Sequence, residues 1–267
     1  MINKTKDNIG IFYDIQGEGE PLVLLMGLGA NGLKWEPHLA VYRKHFKCIV
    51  IDNRGAGRSD KPEMEAYTTQ MMAEDTISVL DELHIEKAHF HGISMGGAIA
   101  QMIGALYPER VKSLVLTSTF AKADHYFTRA MEILRASVGV LDGDTFSHLC
   151  DYMIYAAKYH ETNLNDIIEA EKEGAIDPYP MPAYAYRAQC NACITHNAVD
   201  LLKKIKAPTL VAAGDSDLFV SAESTRILVD GIDGAQLYLC KDGGHVHHWE
   251  KLDDFNQVTT DFLLSHS

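Results

Sequence analysis

Six short apolar runs recur along the chain: Leu22–Met26, Cys48–Asp52, Ala88–His91, Leu114–Thr117, Thr209–Ala213 and Leu237–Cys240. Side chains alternate faces along a strand, so a run that is apolar at consecutive positions suits a strand covered on both faces. Helix-like stretches lie between these runs: Leu33 to His45, Thr68 to His84, Gly96 to Tyr107, Ala222 to Val229 and Trp249 to Leu264. In the second of them Met72, Thr76, Val79 and Leu83 share one face, with Glu74, Asp81 and Glu82 mostly off it. This alternation predicts an α/β fold, a mainly parallel central sheet flanked by helices, with ligands at the carboxyl ends of the strands. Before the first run, Ile11–Asp14 reads as a hairpin-like segment closed by a turn at Gly17–Pro21.

The rhythm breaks once. From Ala121 to Lys204 there is no strand pattern, only helical patterns rich in Tyr, Met, Ala and His around Asp177-Pro178-Tyr179-Pro180-Met181-Pro182. The stretch is too long for a structureless loop, so it is expected to be an inserted helical lid, 121–204, set into a core formed by 1–120 and 205–267.

Composition excludes several function classes. A formal net charge of -13 leaves no basic face for nucleic acid or an anionic membrane surface. The first residues lack the apolar core of a signal peptide and no run reaches membrane-spanning length, so a cytoplasmic protein is expected. Five scattered cysteines do not form a disulfide framework. Cys48 and Cys240 read as small buried hydrophobes, and Cys190-x-x-Cys193 lacks the second pair a zinc site needs.

The chemistry centres on Gly92-Ile93-Ser94-Met95-Gly96, which reads as a strand turning abruptly into a helix with a serine at the bend. Side chains at Gly92 or Gly96 would crowd so tight a turn. A serine hydroxyl needs a base, and the base an orienting acid. Downstream, the run ending at Gly214 enters Asp215-Ser216-Asp217, and the last run enters Lys241-Asp242-Gly243-Gly244-His245. Asp217 is the expected acid, because Asp215 suits the turn itself. His245 is the expected base, with His247 and His248 as neighbouring rivals whose His-x-His-His run lacks a carboxylate or cysteine shell for a metal. His89 and His91 alternate on one face of a predicted central strand and read as satisfied core or near-site histidines. An oxyanion would need backbone donors: the Met95 amide at a helix N-terminus and the Leu28 amide within Gly27-Leu28-Gly29-Ala30.

Taken with Met26–Gly29, Asp52–Asp60, Gly92–Ala98, Tyr107–Val111, Gly214–Asp217 and Gly243–His245, the chain resembles the alpha/beta-hydrolase superfamily over nearly all of its length outside the lid. The resemblance implies the alpha/beta-hydrolase fold, a Ser94, Asp217, His245 triad, no cofactor, no metal, and a small-molecule ester or lactone substrate. It also implies a structural role for Arg54 and Asp60, which would tie loops together. Many relatives carry His where this chain has Met26, and His where it has Ile93, so support of the oxyanion loop must differ here. The serine at the elbow separates it from haloalkane dehalogenases and epoxide hydrolases. Within the superfamily it is similar to the branch of enol-lactonases, aminoacrylate hydrolases and small carboxylesterases. The same triad serves C–C bond hydrolysis of vinylogous diketones and perhydrolysis, and the fold also serves as a ligand sensor. A monomer or homodimer is expected.

Lid residues Tyr152, Met153, Tyr155, Tyr159, Tyr179, Met181, Tyr184 and Tyr186 are expected to divide between lining a substrate pocket and packing the lid onto the core. Arg187 and Gln189 would either bind a polar substrate group or form a solvated helix face.

Overall fold

A computed structural model describes residues 1–267. The chain opens with strands β1 (Ile2–Lys4), β2 (Gly10–Gln16) and β3 (Glu20–Leu25), then a 3-10 turn over Gly32–Trp35 and helix α1 (Glu36–Tyr42). Strand β4 (Phe46–Ile51), helix α2 (Thr69–Glu82), strand β5 (Ala88–Ile93), helix α3 (Met95–Leu106) and strand β6 (Val111–Thr117) continue the alternation. Helices α4 (His125–Ser137), α5 (Gly143–Ile154), α6 (Ala157–Ala175) and α7 (Ala183–Thr195) follow without an intervening strand. The chain then returns through β7 (Thr209–Gly214), α8 (Ala222–Gly231), β8 (Gln236–Cys240), the single turn α9 (His247–Glu250) and α10 (Leu252–Leu264).

The eight strands form one sheet in the order β1-β2-β4-β3-β5-β6-β7-β8. The six predicted runs form its parallel part, β3 through β8. The amino-terminal segment differs from expectation: β2 forms its hairpin with β1, then pairs antiparallel with β4 and not with the next strand in sequence. Tyr13 faces Ile51 in that register, so the segment extends the sheet beyond β4. The far edge also departs from two-sided burial, because β8 has a neighbour only on one side and leaves Leu237 and Leu239 about half exposed.

Period-2 alternation divides the core. Val23, Leu25, Ile49, Ile51, Phe90 and Leu114 point to the face covered by α2, α3 and α8. Leu22, Leu24, Cys48, Val50 and Val115 point to the other, packed against Trp35, Leu39 and Tyr42 of the α1 region and Phe262 and Leu263 of α10. The order of strands reverses at β3, with β4 on one side and β5 on the other. At such a switch point the loops after β3 and β5 diverge and leave a crevice for ligand.

The chain between β6 and β7 leaves and rejoins the core at one place. Lys122 pairs with Asn197, and the Ala198 amide donates to the Ala121 carbonyl at 2.7 Å. Caps define the first two helices inside: Asp124 accepts from the Phe127 amide and Asp142 from the Thr145 amide. No helix of the chain is long and apolar enough to cross a membrane.

Candidate active site

Strand β5 ends at Ile93 and helix α3 begins at Met95, so Ser94 alone makes the bend, at φ 54° and ψ -115°. Only glycine adopts such positive φ freely, so this serine is held in a strained conformation by its surroundings. Its amide donates to the Thr117 carbonyl at 2.8 Å, and its carbonyl accepts the Thr119 hydroxyl at 2.7 Å and the Ala98 amide at 3.1 Å. A Cβ on Gly92 would collide with the Gly96 carbonyl, and one on Gly96 with the Leu25 carbonyl, so both glycines are required by close backbone approach.

Asp217 lies in the loop after β7 and His245 in the loop after β8. His245 Nδ1 and Asp217 Oδ2 are 2.9 Å apart. The other Asp217 oxygen accepts the Phe219 and Val220 amides at 2.7 and 3.0 Å, which fixes the carboxylate's orientation. Asp217 is almost wholly buried, whereas Asp215 is exposed and accepts only the neighbouring Ser216 hydroxyl. His245 is steadied by Ser118, whose hydroxyl donates to its carbonyl at 2.6 Å, and by the Phe219 ring, centred 5.1 Å away. Ser94 and His245 line one chamber of about 180 Å³, and neither Ser94 Oγ nor His245 Nε2 is hydrogen-bonded within the protein.

The Gly27–Ala30 loop sits directly against the serine: a Cβ on Gly27 would lie 3.2 Å from the Ser94 Cβ. Neither the Leu28 nor the Met95 amide has an acceptor in the protein. The amide of Met95, the first residue of α3, also carries the positive end of that helix. The support for this loop comes from two residues to which the sequence analysis gave no such role. Asn53 Nδ2 donates to the Met26 carbonyl at 2.8 Å. Gln189 of α7, fully buried, accepts the Gly29 amide at 2.9 Å through Oε1 and donates to the Arg54 carbonyl at 2.8 Å through Nε2. Gln189 therefore neither faces solvent nor lines the chamber, but clamps the Gly27–Ala30 loop to the loop after β4. Arg187 is likewise turned away, donating to the Arg135 and Val138 carbonyls at the end of α4. Arg54 forms a buried bidentate pair with Asp75 at 2.9 and 2.7 Å, and Asp60 accepts the Gly10 amide at 2.6 Å.

The chamber is otherwise apolar and carries no Lys, Arg, Asp or Glu in its lining. Phe127, Met131 and Leu134 of α4, Cys150 and Ile154 of α5, Tyr186 and Cys193 of α7, and Phe219 cover one side. Of the lid aromatics and methionines expected from sequence, only Tyr186 reaches it; Tyr155 instead lines a separate surface groove of about 730 Å³ that shares Trp249 with the chamber. The legible signal for the true wall was the i, i+4, i+7 spacing of Phe127, Met131 and Leu134. Burial pushes the Cys190 thiol up to about 12 and Cys193 well above its ordinary range, and both remain free thiols.

The other histidines buried in the core each have a partner for at least one ring nitrogen. His89 bonds Ser113 at 2.7 Å and Glu20 at 3.1 Å, and His91 bonds Thr117 at 3.0 Å. His247 meets Ser118 and the Gly244 carbonyl, each at 3.2 Å. His248 meets His38 at 3.1 Å. Burial pushes His38 and His247 down to about 4 and holds His91 and His248 well below the ordinary imidazole range.

This fold and this arrangement of loops define an alpha/beta hydrolase, and the chain belongs to that family. The family profile for the alpha/beta hydrolase fold matches residues 20–149. A 2-hydroxy-6-oxo-6-phenylhexa-2,4-dienoate hydrolase of Comamonas testosteroni is 30% identical over 95% of this chain and 91% of its own length. A putative carbamate hydrolase, RutD, of Caulobacter sp. strain K31 is 26% identical over 95% of this chain and 96% of its own length. Among solved structures, Est816, described as an N-acyl homoserine lactone degrading enzyme, superposes with a TM-score of 0.83 at 29% identity, covering 97% of this chain and 99% of that one.

Proposed function

We propose that this hydrolase is a serine enzyme that cleaves small, uncharged carboxylic esters or lactones through an acyl-enzyme. The observation that carries the reading is the convergence, on one largely apolar chamber, of a strained serine, an imidazole held by a buried carboxylate, and Leu28, whose amide has no acceptor, with the acceptor-free Met95 amide next to the serine in the chain. Ser94 Oγ attacks the carbonyl carbon while His245 Nε2 takes its proton. Asp217 holds the Nδ1–H tautomer and stabilises the imidazolium. The carbonyl oxygen becomes an oxyanion facing the Leu28 and Met95 amides, each worth about 3 kcal/mol in comparable sites. The C–O bond to the leaving alcohol breaks as His245 returns the proton, and a water, activated by the same imidazole, hydrolyses the acyl-enzyme.

The chamber's lack of a cation favours a neutral substrate. A dienoate, the substrate class in the name of the Comamonas relative, carries a carboxylate whose burial without a cation costs several kcal/mol. Ser94→Ala should reduce turnover of p-nitrophenyl butyrate at least about 10³-fold and abolish labelling by a fluorophosphonate, with the thermal midpoint retained. Undiminished hydrolysis in that variant would remove the serine mechanism.

A further inference from the structure

The loop that carries His245 follows β8, a strand with a neighbour on one side only, and it is held from two directions. The sheet side holds two of its carbonyls: Gly243 accepts the Ser216 amide at 2.9 Å, and His245 accepts the Ser118 hydroxyl at 2.6 Å. The cap side holds the amides of the residues flanking the histidine. The Gly244 amide donates to Glu250 Oε2 at 2.8 Å, and the other oxygen of that carboxylate accepts the Ala156 amide at 2.8 Å. The Val246 amide donates to the Ile154 carbonyl at 3.2 Å. Ile154 ends α5 and Ala156 immediately precedes α6, so one junction of the cap backs both neighbours of His245. The approach leaves no room for a side chain: a Cβ on Gly244 would collide with the Ala156 nitrogen and the Ile154 carbonyl. Gly244 is thus a glycine because the cap comes close, not to loosen the loop before the base.

We infer that Glu250 is a positioning residue for His245: its carboxylate ties the loop of the imidazole to the α5–α6 junction, so that the reach of the ring toward Ser94 is set from the cap as well as from the sheet. This rests on the reading of His245 as the base for Ser94. Asp217 and Phe219 decide how the ring is turned, and the loop decides how far it stands from the serine. Nε2 makes no hydrogen bond to Ser94 Oγ within the protein, so a small displacement of the loop decides whether base and nucleophile meet. Ile154 also lines the chamber, so a molecule that fills the chamber bears on the same junction.

Two measurements test this. With p-nitrophenyl butyrate, kcat of Glu250→Ala should fall about 10- to 100-fold with KM changed by less than about threefold. Glu250→Gln keeps an acceptor oxygen for one of the two amides and should recover part of the rate. In proton spectra, the Nδ1 proton of an imidazole bound to a carboxylate lies far downfield, and that of His245 is identified by its loss in Asp217→Asn. It should move upfield or broaden away in Glu250→Ala, and move less in Glu250→Gln. If Glu250→Ala does not fold, Glu250→Gln decides alone by the same two readings. A kcat within about twofold of native, a change confined to KM or to the thermal midpoint, or an unmoved His245 resonance overturns the inference. The resonance needs no substrate, so it reports on Glu250 even where the native chain cleaves no ester, an inactivity that would sink only the reading of the reaction.

Discussion

The loops of the sheet and the helices of the cap contribute to the same chamber, but they are held in different ways. Ser94, Asp217 and His245 are fixed by short backbone hydrogen bonds at the ends of neighbouring parallel strands, so their positions follow from strand register. The cap reaches the core through a few side chains and loop contacts. Gln189 holds the Gly29 amide, Asn31 donates to Asp177 at 2.7 Å, and Glu250 accepts the Gly244 and Ala156 amides at 2.8 Å each. The triad residues thus sit in loops set by the strands, whereas the cap is joined to the core largely through side chains, among them also Tyr184 to the Lys61 carbonyl and Asn191 to the Glu65 carbonyl. Substitutions in the cap are for that reason the easier route to a new substrate.

The largest expected difference tests the core side of this contrast. Asp217→Asn leaves the shape of the loop nearly intact but favours the wrong imidazole tautomer, and kcat should fall about 10⁴-fold. Stopped-flow kinetics with p-nitrophenyl butyrate reads this directly; a loss under tenfold would show that His245 is oriented by something other than the carboxylate.

Next in size is the clamp between the two regions. Gln189→Leu removes the acceptor for the Gly29 amide, and the oxyanion loop should lose its preorganisation, lowering kcat about 10- to 100-fold with KM changed by less than about threefold. Gln189→Glu, which keeps an acceptor oxygen, should recover part of the rate. A loss as large as that of Asp217→Asn would erase the distinction between the two modes of support, and a change confined to KM would place Gln189 in substrate binding after all.

The last prediction is read on stability and not on rate. His38 and His247 beneath the chamber, and His196 where the cap rejoins the core, are pushed by burial down to about 4, against an ordinary value of about 6.5. The unfolded chain binds protons that the native chain refuses, so stability is complete above about pH 6.5 and declines as pH falls toward 4. Urea midpoints measured from pH 7 to 4.5 should show this slope. His38→Gln and His196→Gln should each flatten it, and an unchanged slope in both would assign acid sensitivity to other groups.

What could be read in the sequence follows from how local each signal is. The parallel strands were legible because burial on both faces leaves unbroken apolar runs, and the elbow because Gly92 and Gly96 are demanded by backbone contact a few residues apart. The pairing of β2 with β4 was not, since period 2 specifies which face a strand buries but not which neighbour it meets. The same limit applies to the cap. Gln189 on a helix looks like a solvated polar residue until the fold brings it 160 positions back to Gly29. Asn53 and His248 lie in segments that stood out, but their partners Met26 and His38 could not be read because they lie on other elements. The spread of aromatics over the cap was misleading for a related reason: Tyr content marks an amphipathic surface, while the cap's share of the chamber wall is Phe127, Met131, Leu134, Cys150, Ile154 and Cys193 beside the single tyrosine Tyr186.

The pinned ends of the cap carry a consequence for how such proteins diversify. Because Lys122 pairs with Asn197 and Ala198 with Ala121, the whole insertion leaves the sheet and returns to it at a single point. A loop closed in this way charges the core an entropy that grows only with the logarithm of its length, about 0.6 kcal/mol per doubling. Lengthening, trimming or exchanging the segment between those two anchors leaves β6 and β7 in register. The cap is in effect a cartridge, and the sheet is indifferent to which one is fitted.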